Sequence, residues 1–222
     1  MLDRIKSGEA LEEGTWLVTD RQTAGRGRQG REWFDGHGNF MGSTLVRPGP
    51  NDPPAHTLSL MVGMALYDAV LPLVPDPSSL QLKWPNDLLL GGAKLAGILL
   101  ESEGDTVVIG IGVNLRQAPK LDDRETISLA DVTTPPERDE FAPMVARGLR
   151  DEVVRWRQYG LEPLLNRWSA AAHAEGTPLS VHDGTGTSLS GTFAGLNDTG
   201  SLLLRLADGE THAIHAGDVE LD

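Results

Sequence analysis

TAGRGRQGREWFDGHGN (23–39) decides how this chain is to be read, because its letters fit several folds at once. GRGRQG satisfies the G-x-G-x-x-G pattern of dinucleotide-binding folds, in which the glycines turn a strand directly into a helix. After Gly30, however, the chain runs REWFDGHGN, with Gly36, Gly38 and Asn39 and no helical period. The Rossmann context therefore fails. A nucleic-acid reading of Arg26, Arg28 and Arg31 finds no continuing basic stripe and no reading helix. An exposed turn with solvated arginines is the plain alternative. A fourth reading is an anion cradle: glycines let backbone N–H groups approach a ligand, and Arg forks bind carboxylate or phosphate bidentately. If the segment is extended, Arg26 and Arg28 point to the same side.

The flanking segments set this loop in an α+β frame. TWLVTD (15–20) and NFMGSTLVRP (39–48) read as strands entering and leaving it. Residues 55–74 carry Leu58, Met61, Val62, Ala65, Leu66, Ala69 and Leu73 at helical spacing. His56, Asp68 and Pro72 interrupt that stretch, so it reads as a buried helix rather than a membrane span. LQLKWP (80–85), DLLL (87–90), KLAGILLES (94–102) and TVVIGIGVNL (106–115) are short apolar runs separated by turn residues. They predict a mixed, largely antiparallel sheet with helices on one side. Thr134-Pro135-Pro136-Glu137 reads as a capping box opening a helix with Phe141, Met144, Val145, Leu149, Val153 and Trp156 on one stripe. Gly160 stops it, and a second helix is expected to end near Gly176. Beyond that point come short alternating runs with turns at Asp183-Gly184, Asn197-Asp198 and Asp208-Gly209. The expected domains are 1–175 and a small SH3-like β-barrel at 176–222.

Bulk composition narrows the function. The 222 residues carry a net charge of -13 and no cysteine. Such acidity argues against a surface that grips nucleic acid, and the missing thiols exclude a disulfide framework or cysteine chemistry. A reducing cytoplasm suits this composition. The first residues lack the apolar core of a signal peptide. The six histidines form no metal set; His212 and His215, three apart, would face opposite sides of a strand.

Two further constellations support the anion cradle. KWPNDLLLGGAKLAGILLE (83–101) gathers Lys83, Asn86, Asp87 and Lys94 around two turns, with Gly91-Gly92 returning Lys94 beside Asp87. Gly110-Ile111-Gly112-Val113-Asn114 puts glycines inside a strand, as close approach of a ligand would require. Read singly, KWPND is also an ordinary turn.

GRGRQGR, KWPND with the following GAKLAGIL, and GIGVNL, in this order, closely resemble the biotin protein ligases. The resemblance covers nearly the whole chain, including the tail domain. It implies a catalytic core like that of the class II aminoacyl-tRNA synthetases. It also implies an AMP-forming ligase that makes a C–N bond: Mg·ATP activates biotin as biotinyl-5′-AMP, and a lysine of a biotin carboxyl carrier protein takes the acyl group. Magnesium would ride on the nucleotide phosphates, with no dedicated protein metal site.

By the same resemblance Gln22, Gly25, Arg26, Gly27, Arg28, Lys94 and Gly97 would line the biotin pocket. Arg28, Arg31, Trp33, Asn86, Lys94 and Asn114 would hold ATP. Lys94, bridging biotin carboxylate and α-phosphate, Asp87, orienting or deprotonating the acceptor amine, and Arg28 would carry the chemistry. Trp84 reads as a wall or as a core aromatic, and Asp87 also as a cap of its own turn. A Ser-Thr-Asn segment of the family would lie just ahead of Met1, so the first domain's N-terminal edge is expected to be trimmed. No winged helix precedes the core, which implies the monofunctional type rather than the DNA-binding repressor type. Strand edges are candidates for docking the carrier or a second copy of the chain. The loop at 23–38 is expected to be mobile for want of packing contacts and to gain protection with biotin; for the loop at 116–136 the sequence carries no such expectation. The rival readings are a lipoate or octanoate ligase or transferase of related architecture, and a non-catalytic protein that binds biotin or its adenylate.

Overall fold

In a computed structural model, residues 1–182 and 188–221 are described. The Asp183-Gly184 turn lies outside them. The first sheet contains β1 (Leu17–Val18), β2 (Phe40–Val46), β3 (Leu80–Lys83), β4 (Asp87–Leu90), β5 (Ala93–Glu103) and β6 (Thr106–Val113). Their order is β1-β2-β6-β5-β4-β3. Every ladder among the described residues is antiparallel; parallel pairing occurs only as the isolated bridges Leu82–Ala172 and Lys94–Thr126. Short turns join β3 to β4, β4 to β5 and β5 to β6, and Gly91 and Gly92, at φ 60° and 84°, make the two-residue turn between β4 and β5.

Alternation sorts this sheet into two faces. Phe40, Leu82, Leu88, Ile98, Ile109, Ile111 and Val113 face the hydrophobic core. Against them pack α2 (Leu58–Val70), α3 (Arg138–Tyr159) and α4 (Leu161–Ala171). The apolar stretch Ala55–Leu73 is long enough to cross a membrane by composition, and it is mostly buried inside this core. A short α1 (Leu2–Lys6), unforeseen in the sequence, rests on β5 through buried Leu2.

Two helix boundaries differ from expectation. The capping box of α3 is formed by Glu137 and Glu140, whose carboxylate accepts the Glu137 N–H at 3.2 Å, and not by Thr134. Prolines 135 and 136 favour extended backbone ahead of them, and Glu137 itself is extended. Helix α4 ends at Ala171 instead of near Gly176, because Ala172 turns extended and pairs with Leu82.

The C-terminal residues form a five-stranded antiparallel sheet from β7 (Pro178–His182), β8 (Ser188–Leu196), β9 (Leu202–Arg205), β10 (Thr211–Ile214) and β11 (Asp218–Leu221). Its order is β10-β9-β8-β7-β11. Leu179, Phe193, Leu204 and Val219 continue the main core without a break. Trp84, 5% exposed, donates its indole N–H to the Gly200 carbonyl at 3.1 Å. That side chain is a core aromatic that fastens the two sheets together.

Candidate active site

The face of the first sheet opposite the helices carries the site. Met41, Gly112 and Gly97 lie across from one another in register, then Asp87 and Lys83. Facing residues of an antiparallel ladder project to one side, so this row forms a floor of two glycines ending in a carboxylate and an ammonium. Lys94 reaches the same face through a β-bulge: Leu88 pairs Ala96 but Leu89 pairs Lys94, leaving Leu95 as the extra residue. Leu95 turns into the core, and strict alternation would have sent Lys94 there. A cavity of about 500 Å³ opens over this floor, within the range of small-molecule sites.

The Arg/Gly loop folds over the cavity as a compact turn. Arg26 and Glu32 form an antiparallel bridge, the Gly27 N–H donates to the Arg31 carbonyl at 2.7 Å, and that of Trp33 to the Gly25 carbonyl at 3.1 Å. A 3₁₀ turn, Arg28–Gly30, closes it, with Gln29 and Gly30 at φ 56° and 75°. The segment is therefore not extended, and Arg26 and Arg28 diverge. Arg26 pairs with Glu101 at 3.0 Å. Arg28 donates to the Asn86 Oδ1 at 3.2 Å and the Gly217 carbonyl at 3.4 Å, and Arg31 pairs with Asp218. Gly25 is where its letter matters most: a Cβ there would sit 2.6 Å from the Trp33 carbonyl and 2.8 Å from the Gln22 side chain.

Trp33 lies on the glycine floor. A Cβ at Gly112 would collide with its indole, and one at Gly97 would come within 2.9 Å of it. Its Nε1, like the Gln22 Oε1, is buried without a protein partner. Orphaned polar atoms are few in folded proteins, and both of these line the cavity. Lys94 Nζ stands 5.8 Å from the indole centroid and 2.7 Å from Asp87 Oδ1. The latter contact is an ion pair without hydrogen-bond alignment, so Oδ1 keeps an unused lone pair. Lys83 Nζ lies 3.9 Å from Asp87 Oδ2. Burial, aided by the neighbouring Lys94 and Arg124 cations, pushes the Lys83 ammonium below its ordinary range, against the pull of Asp87.

Two expected ligands are occupied in framing the site. Asn86 Nδ2 donates to the Ile98 carbonyl at 2.8 Å, leaving Oδ1 to Arg28. Asn114, 2% exposed, donates to the Ile127 carbonyl at 3.2 Å and weakly to that of Lys94 at 3.5 Å. Other members of the site were not singled out in the sequence. Asn39 holds the start of the 116–127 loop by accepting the N–H groups of Arg116 and Gln117 at 2.9 and 3.1 Å. That loop brings Asp123 and Arg124 to the cavity, and the second sheet brings Asp218 and Glu220. His212 and His215 are exposed; His215 Nδ1 lies 2.8 Å from Ser201 Oγ.

Comparisons with known proteins place the chain in a family. Residues 3–114 match the biotin/lipoate A/B protein ligase family, and residues 180–222 match the biotin protein ligase C terminal domain. A biotin–[acetyl-CoA-carboxylase] ligase of Paracoccus denitrificans is 37% identical over 91% of this chain and 89% of its own length. One of Mycobacterium tuberculosis is 36% identical over 99% of this chain and 83% of its own. The Aquifex aeolicus biotin protein ligase, solved in complex with biotin and ATP, superposes with a TM-score of 0.85 at 24% identity, covering 96% of this chain and 91% of that one. The chain thus belongs to the biotin protein ligases of the biotin/lipoate A/B protein ligase family.

Proposed function

We propose that this chain joins biotin to a lysine of a biotin carboxyl carrier protein in two steps at the cavity over Gly97 and Gly112. The observation that carries this reading is the convergence of Lys94, Asp87 and the Arg28 loop on one cavity that also holds two unpartnered polar groups. In the first step a biotin carboxylate oxygen attacks the α-phosphorus of ATP and the bond to pyrophosphate breaks. Both reactants are anionic, and fixed cations where water is excluded lower that barrier. Lys94 and Arg28 supply them; Arg31 exchanges Asp218 for phosphate. In the second step the acceptor amine attacks the acyl carbon, the bond to AMP breaks, and the amine loses its proton. Asp87 orients or takes up that proton, since an ordinary lysine of pKa about 10.4 is mostly unreactive at neutral pH.

Gln22 Oε1 would accept a ureido N–H of biotin, with Gly25, Arg26, Gly27 and Gly97 shaping the pocket. Trp33 would stand between the biotin and nucleotide halves, and Asn86 and Asn114 would hold the surrounding backbone for the nucleotide. Magnesium would come with the phosphates: Asp87 is held by two lysines and Asp218 by Arg31, so neither is free as a resident ligand. We take residues 1–175 as the catalytic domain, resembling the class II synthetase core, and 176–222 as the appended domain. The five-strand order and short length of the latter support an SH3-like fold. A cytoplasmic setting suits a cysteine-free chain.

The test is biotin-dependent ATP–pyrophosphate exchange, run beside lipoate and octanoate. Exchange with biotin alone is the expected result. Exchange with lipoate or octanoate instead would move the chain to the sister branch, and none with any acid would leave a binding protein.

A further inference from the structure

We propose that Lys83 is a positioning residue that acts through Asp87 in the transfer step, an inference that rests on the ligase reading above. Lys83 and Asp87 face each other across the β3–β4 hairpin, so both side chains leave the same face of the sheet. Asp87 is 7% exposed and lies between two ammonium groups, Lys94 at 2.7 Å on Oδ1 and Lys83 at 3.9 Å on Oδ2. The two lysines are not equivalent. Lys94 sits beside the Trp33 indole and over Gly97, toward the cavity. Its contact with Oδ1 lacks hydrogen-bond alignment. Lys83 lies at the end of β3, where Asp218 and Arg124 are its other charged neighbours and its charge reaches the buried His173.

An adenylate brings a negative phosphate into this site and draws Lys94 away from Asp87. Two anions, the phosphate and Asp87, then face each other in a partly dehydrated pocket. Without a second cation the carboxylate would turn from the reacting centre, since an unpaired charge in such a place is costly. Lys83 holds Oδ2 and balances that charge, leaving Oδ1 for the acceptor amine. The amide bond forms as the AMP–acyl bond breaks, and the amine proton leaves by way of Oδ1.

The experiment measures two steps separately on the full chain: ATP–pyrophosphate exchange with biotin, and single-turnover transfer from preformed biotinyl-5′-AMP to a biotin carrier domain. Lys83→Met is expected to leave exchange within about threefold while slowing transfer by about 100-fold, the effect of displacing a reacting group by about 1 Å. Lys83→Arg should recover most of the loss. In an Asp87→Asn background Lys83→Met should cost little more, because the two act as one unit. Equal slowing of both steps, undiminished transfer, or a full additional loss in the double variant would overturn the assignment. Should Lys83→Met fail to fold, Lys83→Gln tests the same split. Absence of biotin-dependent exchange in the unmodified chain would instead overturn the ligase reading, and this inference with it.

Discussion

Gly112→Ala should unseat the Arg/Gly loop while leaving the sheet beneath it intact. The added Cβ would lie inside van der Waals contact of Trp33 Cε2, Cζ2 and Nε1. One partner must yield. Gly112 is held on both sides by ladders to β2 and β5, whereas the loop carrying Trp33 is held by a few turn hydrogen bonds. Overpacking of this kind costs about 1–3 kcal/mol, which lowers the docked population of the loop by about 5- to 150-fold. The neighbouring glycines grade the prediction. A Cβ at Gly97 would meet the indole at 2.9 Å and the flexible end of Lys94 at 3.2 Å, a milder conflict. At Gly110 the nearest atoms lie at 3.7 Å, an ordinary contact, and alanine there should be neutral or slightly stabilising because it restricts the unfolded chain. Amide exchange read at Gly27 and Trp33, with β6 amides as controls, gives the answer. Loop protection should fall in the order Gly112→Ala, Gly97→Ala, Gly110→Ala, and the apparent affinity for biotin should follow it. Unchanged loop protection in Gly112→Ala, or equal damage from Gly110→Ala, would refute the picture of an indole seated on a glycine floor.

Lys94→Met should lower biotin-dependent pyrophosphate exchange by about 10²–10³, the usual effect of removing one pre-aimed donor to developing charge, with little change in thermal stability. Asn39→Ala leaves the Arg116 and Gln117 amides without their acceptor; a loss of about 1–3 kcal/mol in urea unfolding is expected. His173, 8% exposed with an unpartnered Nε2, has its pKa pushed down to about 4, by burial first and then by the Lys83 charge. The unfolded chain, near 6.5, then binds the extra proton between these values. Stability should be fully present above about pH 6.5 and fall as pH drops toward 4, by at most about 3 kcal/mol. His173→Gln should flatten that part of the pH–stability curve measured by denaturant titration, and an unaltered slope would count against a buried neutral imidazole.

Much of the first sheet was legible because its signals are local. Short apolar runs between turn residues marked β2 through β6, and Gly91-Gly92 marked the turn that returns Lys94 toward Asp87. The bulge at Leu95 was not legible: period-two alternation through KLAG places Lys94 on the core side, and only the pairing of β4 with β5 reveals the extra residue. The role of Asp218 was hidden for a different reason. It meets Arg31 from 187 residues away, and nothing in the local composition of DVEL (218–221) distinguishes it from a solvated strand end. The glycines of GIGVN were read as sites where a ligand comes close; the group lying against Gly112 is the indole of Trp33, while Gly110 has only ordinary contacts. Shape complementarity between a glycine pair and a distant aromatic leaves no trace in spacing. Asn114 and Asn86 show the opposite limit. Their motif marks them for the site, while their side-chain amides are engaged with backbone carbonyls, so spacing identified the place but not the partner.

The most direct test of the whole account is a two-stage reaction followed by intact mass. The chain is first incubated with biotin and Mg·ATP to form biotinyl-5′-AMP, then mixed with an unmodified biotin carrier domain. One biotinyl group on one carrier lysine is expected, lost in Lys94→Met at the first stage and in Asp87→Asn only at the second. No modification of the carrier by the unmodified chain, or transfer that proceeds unimpaired without Lys94 and Asp87, would contradict it.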